Sequence, residues 1–288
     1  MQPISAQTPA AASGTFVIGG DLPVYRMGFG AMRVTGPNVW GDPPDRAAAH
    51  ALLRRVVELG VTLLDTADSY GPGVSEQIIA EALHPYPSNL VIATKGGLMR
   101  SGPGDWSPNG HPEHLRRTLE GSLKRLRLER IDLYQLHAVD SRIPLDESVG
   151  ALAEMRAAGK IRHVGLSNVD ARQLARAQRI VPIVSVQNNY NLAERNSDSL
   201  VDVCAQQNIA FLPWCPIMIG ARGRAGSAMD RVAQRHRATA RQVALAWLLQ
   251  RSATMIPIPG TSSIQHFEEN VAASSLRLDE DDLAALKR

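Results

Sequence analysis

Short runs of Val, Ile and Leu alternate with longer stretches of helical periodicity along almost the whole chain. Apolar runs of five or six residues occur at 61–65, 90–94, 131–136, 161–166, 183–187 and 209–214, with a first at 27–31 and a last near 254–258. Each is short and bounded by polar or turn residues, which reads as a buried parallel strand. Between them, apolar residues three and four apart mark helices at 44–59, 75–83, 112–126, 146–158, 170–178, 197–207 and 239–250. Asp45 opens the first of these, and Gly60 and Gly159 sit at stop positions. About eight strand–helix units fit a closed (β/α)8 barrel better than an open sheet.

Ahead of the barrel pattern, 15–18 and 22–24 flank Gly19-Gly20-Asp21, the turn chemistry of a short β-hairpin. Residues 1–14 are rich in Ala, Ser, Thr, Pro and Gln and lack the basic start and apolar run of a signal peptide, so they read as a disordered tail. No Pro/Gly/Ser-rich linker divides residues 15–288, which predicts one domain. No apolar stretch is long enough to span a bilayer.

Three of the apolar runs lead into chemically active residues. The run at 61–64 ends in Asp65, with Tyr70 five residues on; 90–94 ends in Lys95; and 131–136 ends in His137. Polar groups at the carboxyl ends of successive parallel strands converge, and that edge is where α/β folds carry out chemistry. Lys95 alone has three readings: a Schiff-base nucleophile, a fixed cation that tunes a neighbour, or a surface salt bridge. Asp65 beside it favours the second, because a carboxylate keeps the amine protonated. The expected consequence is a Tyr70 hydroxyl whose pKa is pulled down from about 10 towards the working range. His137 taken alone is a structural histidine; in this company it becomes a hydrogen-bond donor to a substrate oxygen. The four together suit acid catalysis at a carbonyl oxygen.

Two strand–helix connections are long, 32–43 and 96–110, and each carries a tryptophan, Trp40 and Trp106. Both loops belong on the catalytic face, so Met32, Trp40 and Trp106 are expected substrate contacts, although the tryptophans would also suit rim packing.

Composition removes other classes. The chain of 288 residues has 31 Lys+Arg against 28 Asp+Glu, a net charge of only +3. The arginines between 222 and 241 are interspersed with Ala, Gly and Asp, the pattern of a solvated helix face and not a nucleic-acid stripe. Two cysteines, Cys204 and Cys215, are too few for a disulfide framework or a zinc site and point to a reducing, cytoplasmic setting. No metal site is expected.

The segments DTADSYG (65–71), IATKGG (92–97) and YQLHAVD (134–140) resemble the catalytic motifs of the aldo-keto reductases. GLSN (165–168), VQNNYN (186–191), PWCPI (213–217) and IPGTSS with EEN (258–270) follow in matching order, so the resemblance runs from about Thr15 to the end. It is most similar to bacterial members that include pyridoxal reductases. The resemblance implies NADPH-dependent reduction of aldehydes or ketones, with Tyr70 as the acid, Lys95 and Asp65 tuning it, and His137 orienting the carbonyl. It places Ser167, Asn168 and Gln187 on the nicotinamide carboxamide and Trp214, otherwise readable as a core aromatic, against the ring. The pyrophosphate falls near 216–222, Pro216 and Ile217 included, and the adenosine phosphate near 260–270.

At that far end the family commonly places a Lys and an Arg; here the matching positions are Gly260 and His266. Thr261, Ser262 and free N–H groups at a helix start would hold a phosphate, Thr261 or Ser262 would equally serve as a helix cap, and Glu269 and Asn270 suit an adenine edge. NADPH is expected over NADH, which stays possible. No GxGxxG opens a βαβ unit, since Gly28-Phe29-Gly30 runs on to Arg33, which argues against a Rossmann mode. Arg288 follows soon after the last helical pattern at 279–287, so an open pocket with broad aldehyde tolerance is expected, in a monomer without nucleic-acid or membrane partners. Two rival readings stand beside this one: a barrel lyase using Lys95 as a Schiff base, and a nicotinamide-binding regulatory subunit of very slow turnover.

Overall fold

The structure, a computed structural model, describes residues 8–217 and 224–287. Its elements follow the apolar pattern. Thr15–Ile18 (β1) and Leu22–Tyr25 (β2) pair antiparallel. Phe29–Gly30 (β3), Arg46–Glu58 (α1), Leu63–Asp65 (β4), Val74–Leu83 (α2) and Val91–Gly96 (β5) follow. Leu98–Met99 (β6) and Ser107–Pro108 (β7) pair only with each other. Pro112–Leu126 (α3), Ile131–Leu136 (β8), Leu145–Ala157 (α4), Ile161–Ser167 (β9), Ala171–Gln178 (α5) and Ile183–Gln187 (β10) continue the alternation. The chain completes it with Asp198–Gln206 (α6), Ala210–Phe211 (β11), Arg224–Arg235 (α7), Ala240–Arg251 (α8), Ile264–Ala272 (α9) and Glu280–Leu286 (α10).

Seven strands form one parallel sheet in the order β11-β10-β9-β8-β5-β4-β3. The sheet curls until both edges meet the same segment, 254–258. On one side Phe211 N–H donates to Thr254 O (2.9 Å) and Ile256 N–H to Phe211 O (2.8 Å). On the other, Gly28 N–H donates to Pro257 O (3.0 Å). This arrangement is consistent with a (β/α)8 barrel. The segment makes only an isolated bridge, Phe211 with Met255, because Pro257 and Pro259 have no N–H to give a ladder. The expected strand at 209–214 is likewise short, with Trp214 joined separately to Asn189.

The core divides by strand periodicity. Outward residues such as Leu64, Ile92, Tyr134 and Val164 pack under the helices. Inward residues Leu63, Val91, Ala93, Leu133, Leu212 and Ile256 form a second cluster, closed from below by Phe16, Ile18, Leu22 and Val24 of the β1–β2 pair. Helix ends are capped as their sequences require: Asp45, Asp170, Thr239 and Ser263 each accept an N–H from the first turn. One face of α7 is buried through Met229, Val232 and Ala233, while Arg231 stays in solvent.

One expectation is overturned. Pro9–Ser13, assigned to a disordered tail, form a 3-10 helix. Ala10 is completely buried and its N–H donates to Leu59 O, while Ser13 Oγ donates to Ala10 O (2.7 Å) and accepts from Met27 N–H (3.0 Å). Small side chains fit this groove, and one hydroxyl satisfies two backbone groups, so low apolar content was no bar to order. Among the described residues no helix is long and apolar enough to cross a membrane.

The β1–β2 floor gives a direct test. Phe16→Ala leaves a cavity under the inward cluster, and urea denaturation should show a loss of about 3–5 kcal/mol. Cofactor binding, read at the opposite end of the strands, should be retained in the folded variant.

Candidate active site

The functional side chains continue the inward face of the strands. Asp65 lies two residues beyond Leu63, Lys95 two beyond Ala93, and Gln135 and His137 two and four beyond Leu133. Period-two geometry therefore stacks a polar layer on the apolar floor, at the strand carboxyl ends. Lys95 and Gln135 are register partners on β5 and β8.

Lys95 is fully buried. Its Nζ donates to Asp65 Oδ2 (2.6 Å), Thr66 O (2.8 Å) and Tyr70 Oη (3.4 Å). The other oxygen of Asp65 accepts from Gln187 Nε2 (2.8 Å) and Gln135 Nε2 (3.2 Å). Burial disfavours the ammonium, but Asp65, with Tyr70 adding to it, outweighs that and holds Lys95 above its ordinary value. A sealed, protonated amine with three acceptors is a poor Schiff-base nucleophile, so the lyase reading loses its central group.

Tyr70 corrects an expectation. Burial lifts its hydroxyl above the ordinary phenol value, and the Lys95 ammonium pulls the other way without prevailing. Tyr70 is therefore a neutral phenol with a proton to give, not a group tuned down to working pH. His137 is driven well below its usual range by burial, reinforced by the Lys95 charge, so its imidazole is neutral. Its Nδ1 lies 3.3 Å from Ser69 Oγ. With that hydroxyl donating, the Nε2–H tautomer is left for a ligand oxygen. The Tyr70 and His137 rings meet edge to face at 5.8 Å.

Asp65, Tyr70 and His137 line a cavity of about 540 Å³, joined by Ser167, Asn168, Gln187 and Trp214. Met32, Trp106, Pro216, Ile217 and Gly260 also border it, together with Gly30, Arg33 and Cys215, which the sequence had not singled out. Lys95 stands behind this wall. Trp40 borders no part of it. Ser262 opens instead on a neighbouring cavity of about 320 Å³ beside the 32–39 loop.

The donor set suits a nicotinamide carboxamide. Ser167 and Gln187 are nearly fully buried, and neither the Ser167 hydroxyl proton nor Gln187 Oε1 has a protein partner among the described residues. They offer a donor and an acceptor to a primary amide. Asn168 is already engaged, donating to His137 O (3.0 Å) and accepting from Trp214 Nε1 (3.1 Å). It fixes the Trp214 ring, which is about a third exposed (36%). A flat cofactor ring therefore has a stacking face beside the phenol.

At the far end, the expected roles shift. A Cβ at position 260 would lie 2.6 Å from Gly30 O, so the backbones meet where a longer side chain would have to start. Ser263, not Thr261 or Ser262, caps α9, and Thr261 Oγ1 accepts from Ser263 N–H (3.1 Å). His266 is exposed, Glu269 accepts from Thr239 Oγ1 (2.6 Å), and Asn270 is buried with Oδ1 unpartnered among the described residues. Residues 218–222, assigned by resemblance to the pyrophosphate, lie outside the described residues.

The chain matches the family model described as "Aldo/keto reductase family" over residues 26–288. It is 46% identical over 282 residues to an uncharacterised oxidoreductase of Schizosaccharomyces pombe, covering 98% of this chain and 92% of that one. It is 43% identical over 281 residues to pyridoxine 4-dehydrogenase of Escherichia coli, covering 96% and 98% respectively. Among solved structures, glycerol dehydrogenase of Gluconobacter oxydans superposes with a TM-score of 0.86 at 26% identity, covering 96% and 94%. An aldo-keto reductase of Klebsiella pneumoniae in complex with NADPH gives 0.78 at 28% identity, covering 94% and 93%. The chain belongs to the aldo/keto reductase family. It is an NAD(P)H-dependent oxidoreductase that acts on carbonyl compounds.

One acidic group near the site has a measurable consequence. Burial, together with the Glu76 carboxylate, pushes Asp68 up to about 8, and its Oδ1 is sealed from solvent without a partner among the described residues. The folded state therefore binds this proton more tightly than the unfolded one. Its contribution to stability is present below the unfolded value near 3.8 and is lost as pH rises through about 8. Asp68→Asn should melt most nearly like the wild type at pH ~4 and gain on it steadily as pH rises to ~9, by more than the roughly 2–4 °C of a single kcal/mol, read by thermal unfolding.

Proposed function

We propose that this protein reduces aldehydes and ketones to alcohols with NADPH, as a cytoplasmic monomer, with Tyr70 as the proton donor. The observation that carries this reading is the contact of Tyr70 Oη with a Lys95 ammonium that Asp65 keeps charged and buried. When bound, the nicotinamide supplies hydride to the carbonyl carbon. Negative charge then develops on the carbonyl oxygen, where Tyr70 delivers its proton and His137 Nε2–H donates a hydrogen bond. Lys95 stabilises the phenolate as the proton leaves, so its effect belongs to the transition state more than to resting Tyr70. Ser167 and Gln187 hold the carboxamide, and Trp214 covers the ring, which limits the orientations open to the reacting carbon.

The preference for NADPH is supported by the Klebsiella relatives, whose structures contain NADPH or NADP. The Escherichia coli relative makes pyridoxal the first aldehyde to test. Cys204 and Cys215 are both free thiols, which suits a reducing compartment.

Following NADPH absorbance against pyridoxal, aromatic aldehydes and dicarbonyls tests the reaction. Tyr70→Phe should lower kcat by about 10²–10⁴-fold, with NADPH binding unchanged when read by quenching of tryptophan fluorescence. Near-normal turnover by that variant would remove Tyr70 as the acid. Turnover too slow for any metabolic role across the whole panel would favour the regulatory-subunit reading.

A further inference from the structure

The loop between β5 and α3 carries Trp106 to the cavity, yet its only regular structure is the two-residue pairing of β6 with β7. It contains Gly97 and Gly104 at positive φ (103° and 79°), so its backbone is poorly restrained by itself. Asp140, Arg142 and Ser148 hold its stem at Pro108 and Gly110, and Arg100 ties its tip to the neighbouring segments. The guanidinium Nε donates to Asp105 O (2.7 Å), Nη1 to Val39 O (2.9 Å) and Ser69 O (3.3 Å), and Nη2 to Asn38 O (3.0 Å) and Gly102 O (3.4 Å). All five acceptors are main-chain carbonyls, and no carboxylate pairs with Arg100 among the described residues. The cation therefore serves as a five-point tie between the 32–43 loop, its own loop and the segment leading into Tyr70.

Two further features depend on this tie. Asn38 and Val39 both adopt left-handed conformations (φ 55° and 58°), a strained choice for a β-branched valine. The Val39 carbonyl receives both Arg100 Nη1 and Gly71 N–H, which hold it there. The guanidinium carbon also lies 3.6 Å from the Trp106 ring centroid and 5.6 Å from that of Trp40. Trp106 in turn meets Tyr70 nearly perpendicularly (80°) at 6.4 Å, and both rings border the cavity. Trp40, expected from the sequence at the pocket, instead stands behind this assembly.

We propose that Arg100 is a positioning residue that sets substrate selectivity: it holds Trp106 edge-on to Tyr70 as a fixed aromatic wall, favouring flat, ring-bearing aldehydes over small aliphatic ones. The proposal rests on the carbonyl-reductase reading above. A planar substrate whose carbonyl reaches Tyr70 and His137 has its ring against Trp106, whereas a three-carbon aldehyde reaches the same phenol without touching that wall. Releasing the wall removes binding from the first and leaves the second nearly unaffected. Lysine would not restore it, because an ammonium has three donors on a flexible stem and no flat face to stack.

The test compares benzaldehyde with propanal, using NADPH and the whole chain. Arg100→Ala should raise KM for benzaldehyde about tenfold, with kcat and the propanal KM within about twofold of wild type and NADPH binding unchanged. Arg100→Lys should behave like the alanine variant. Trp106→Ala should reproduce the selectivity change, and adding Arg100→Ala to it should cost little more, since both act through one wall. An equal loss with both aldehydes, an unchanged benzaldehyde KM, or full rescue by lysine would overturn the proposal while leaving the reaction assignment standing. A wild-type chain that binds NADPH but turns over neither aldehyde would bring down the reaction assignment, and the proposal with it.

Discussion

Lys95 is a fully buried cation, and the site around it is organised to make that tolerable. An uncompensated charge at this depth is costly, and removing one partner of such a pair costs about 3–5 kcal/mol. Asp65 supplies the opposite charge, Thr66 O and Tyr70 Oη take the other donors, and Gln135 and Gln187 occupy the second Asp65 oxygen. These groups come from β4, β5, β8, β10 and the connection after β4. The pair therefore ties strand ends that are far apart in sequence, and its cost is offset only when the sheet has curled enough to assemble them all. Within this network Asp65, Tyr70 and Gln187 border the cavity, while Lys95 stands behind them.

The consequence for chemistry is a division between resting state and reaction. At rest, burial keeps Tyr70 a phenol and His137 a neutral imidazole, so both have hydrogens to offer an oxygen. In the proposed reaction the fixed ammonium matters when the phenol gives up its proton, because only then is there a phenolate to stabilise. Preorganised charge of this kind requires no reorientation of solvent at the moment of transfer. The residues expected around the nicotinamide divide in the same way: Ser167 and Gln187 retain free polar atoms, while Asn168 is spent on holding His137 and Trp214 in relation to each other.

The loops impose a different constraint. Their length made them candidates for substrate contact, but two tryptophans in two loops do not share a pocket by default. Arg100 assigns them opposite duties, Trp106 at the cavity and Trp40 behind it. At the adenosine end, contact between the Gly30 and Gly260 backbones explains why position 260 is glycine. Whatever charge meets a phosphate there has to come from elsewhere in the chain.

Much of this was legible in the chain because strand periodicity is a local property. The runs 131–136 and 183–187 coincide with the observed strands, and the inward alternation that places Asp65, Lys95 and His137 together follows from counting by twos. The ordered motifs carried the family assignment for the same reason. What the chain by itself could not determine are outcomes of competition in three dimensions. Pro9–Ser13 are ordered because a groove beside Leu59 accepts them, and 254–258 closes the sheet without forming a strand because its prolines lack donors. Gln135 became a hydrogen-bond partner of Asp65, and Arg100 a tie between loops, only through neighbours 30 to 70 residues away. Burial decided the protonation of Tyr70 against the charge beside it. Depth is a property of the fold, whereas the strand alternation that sets Asp65 beside Lys95 is already written in the sequence.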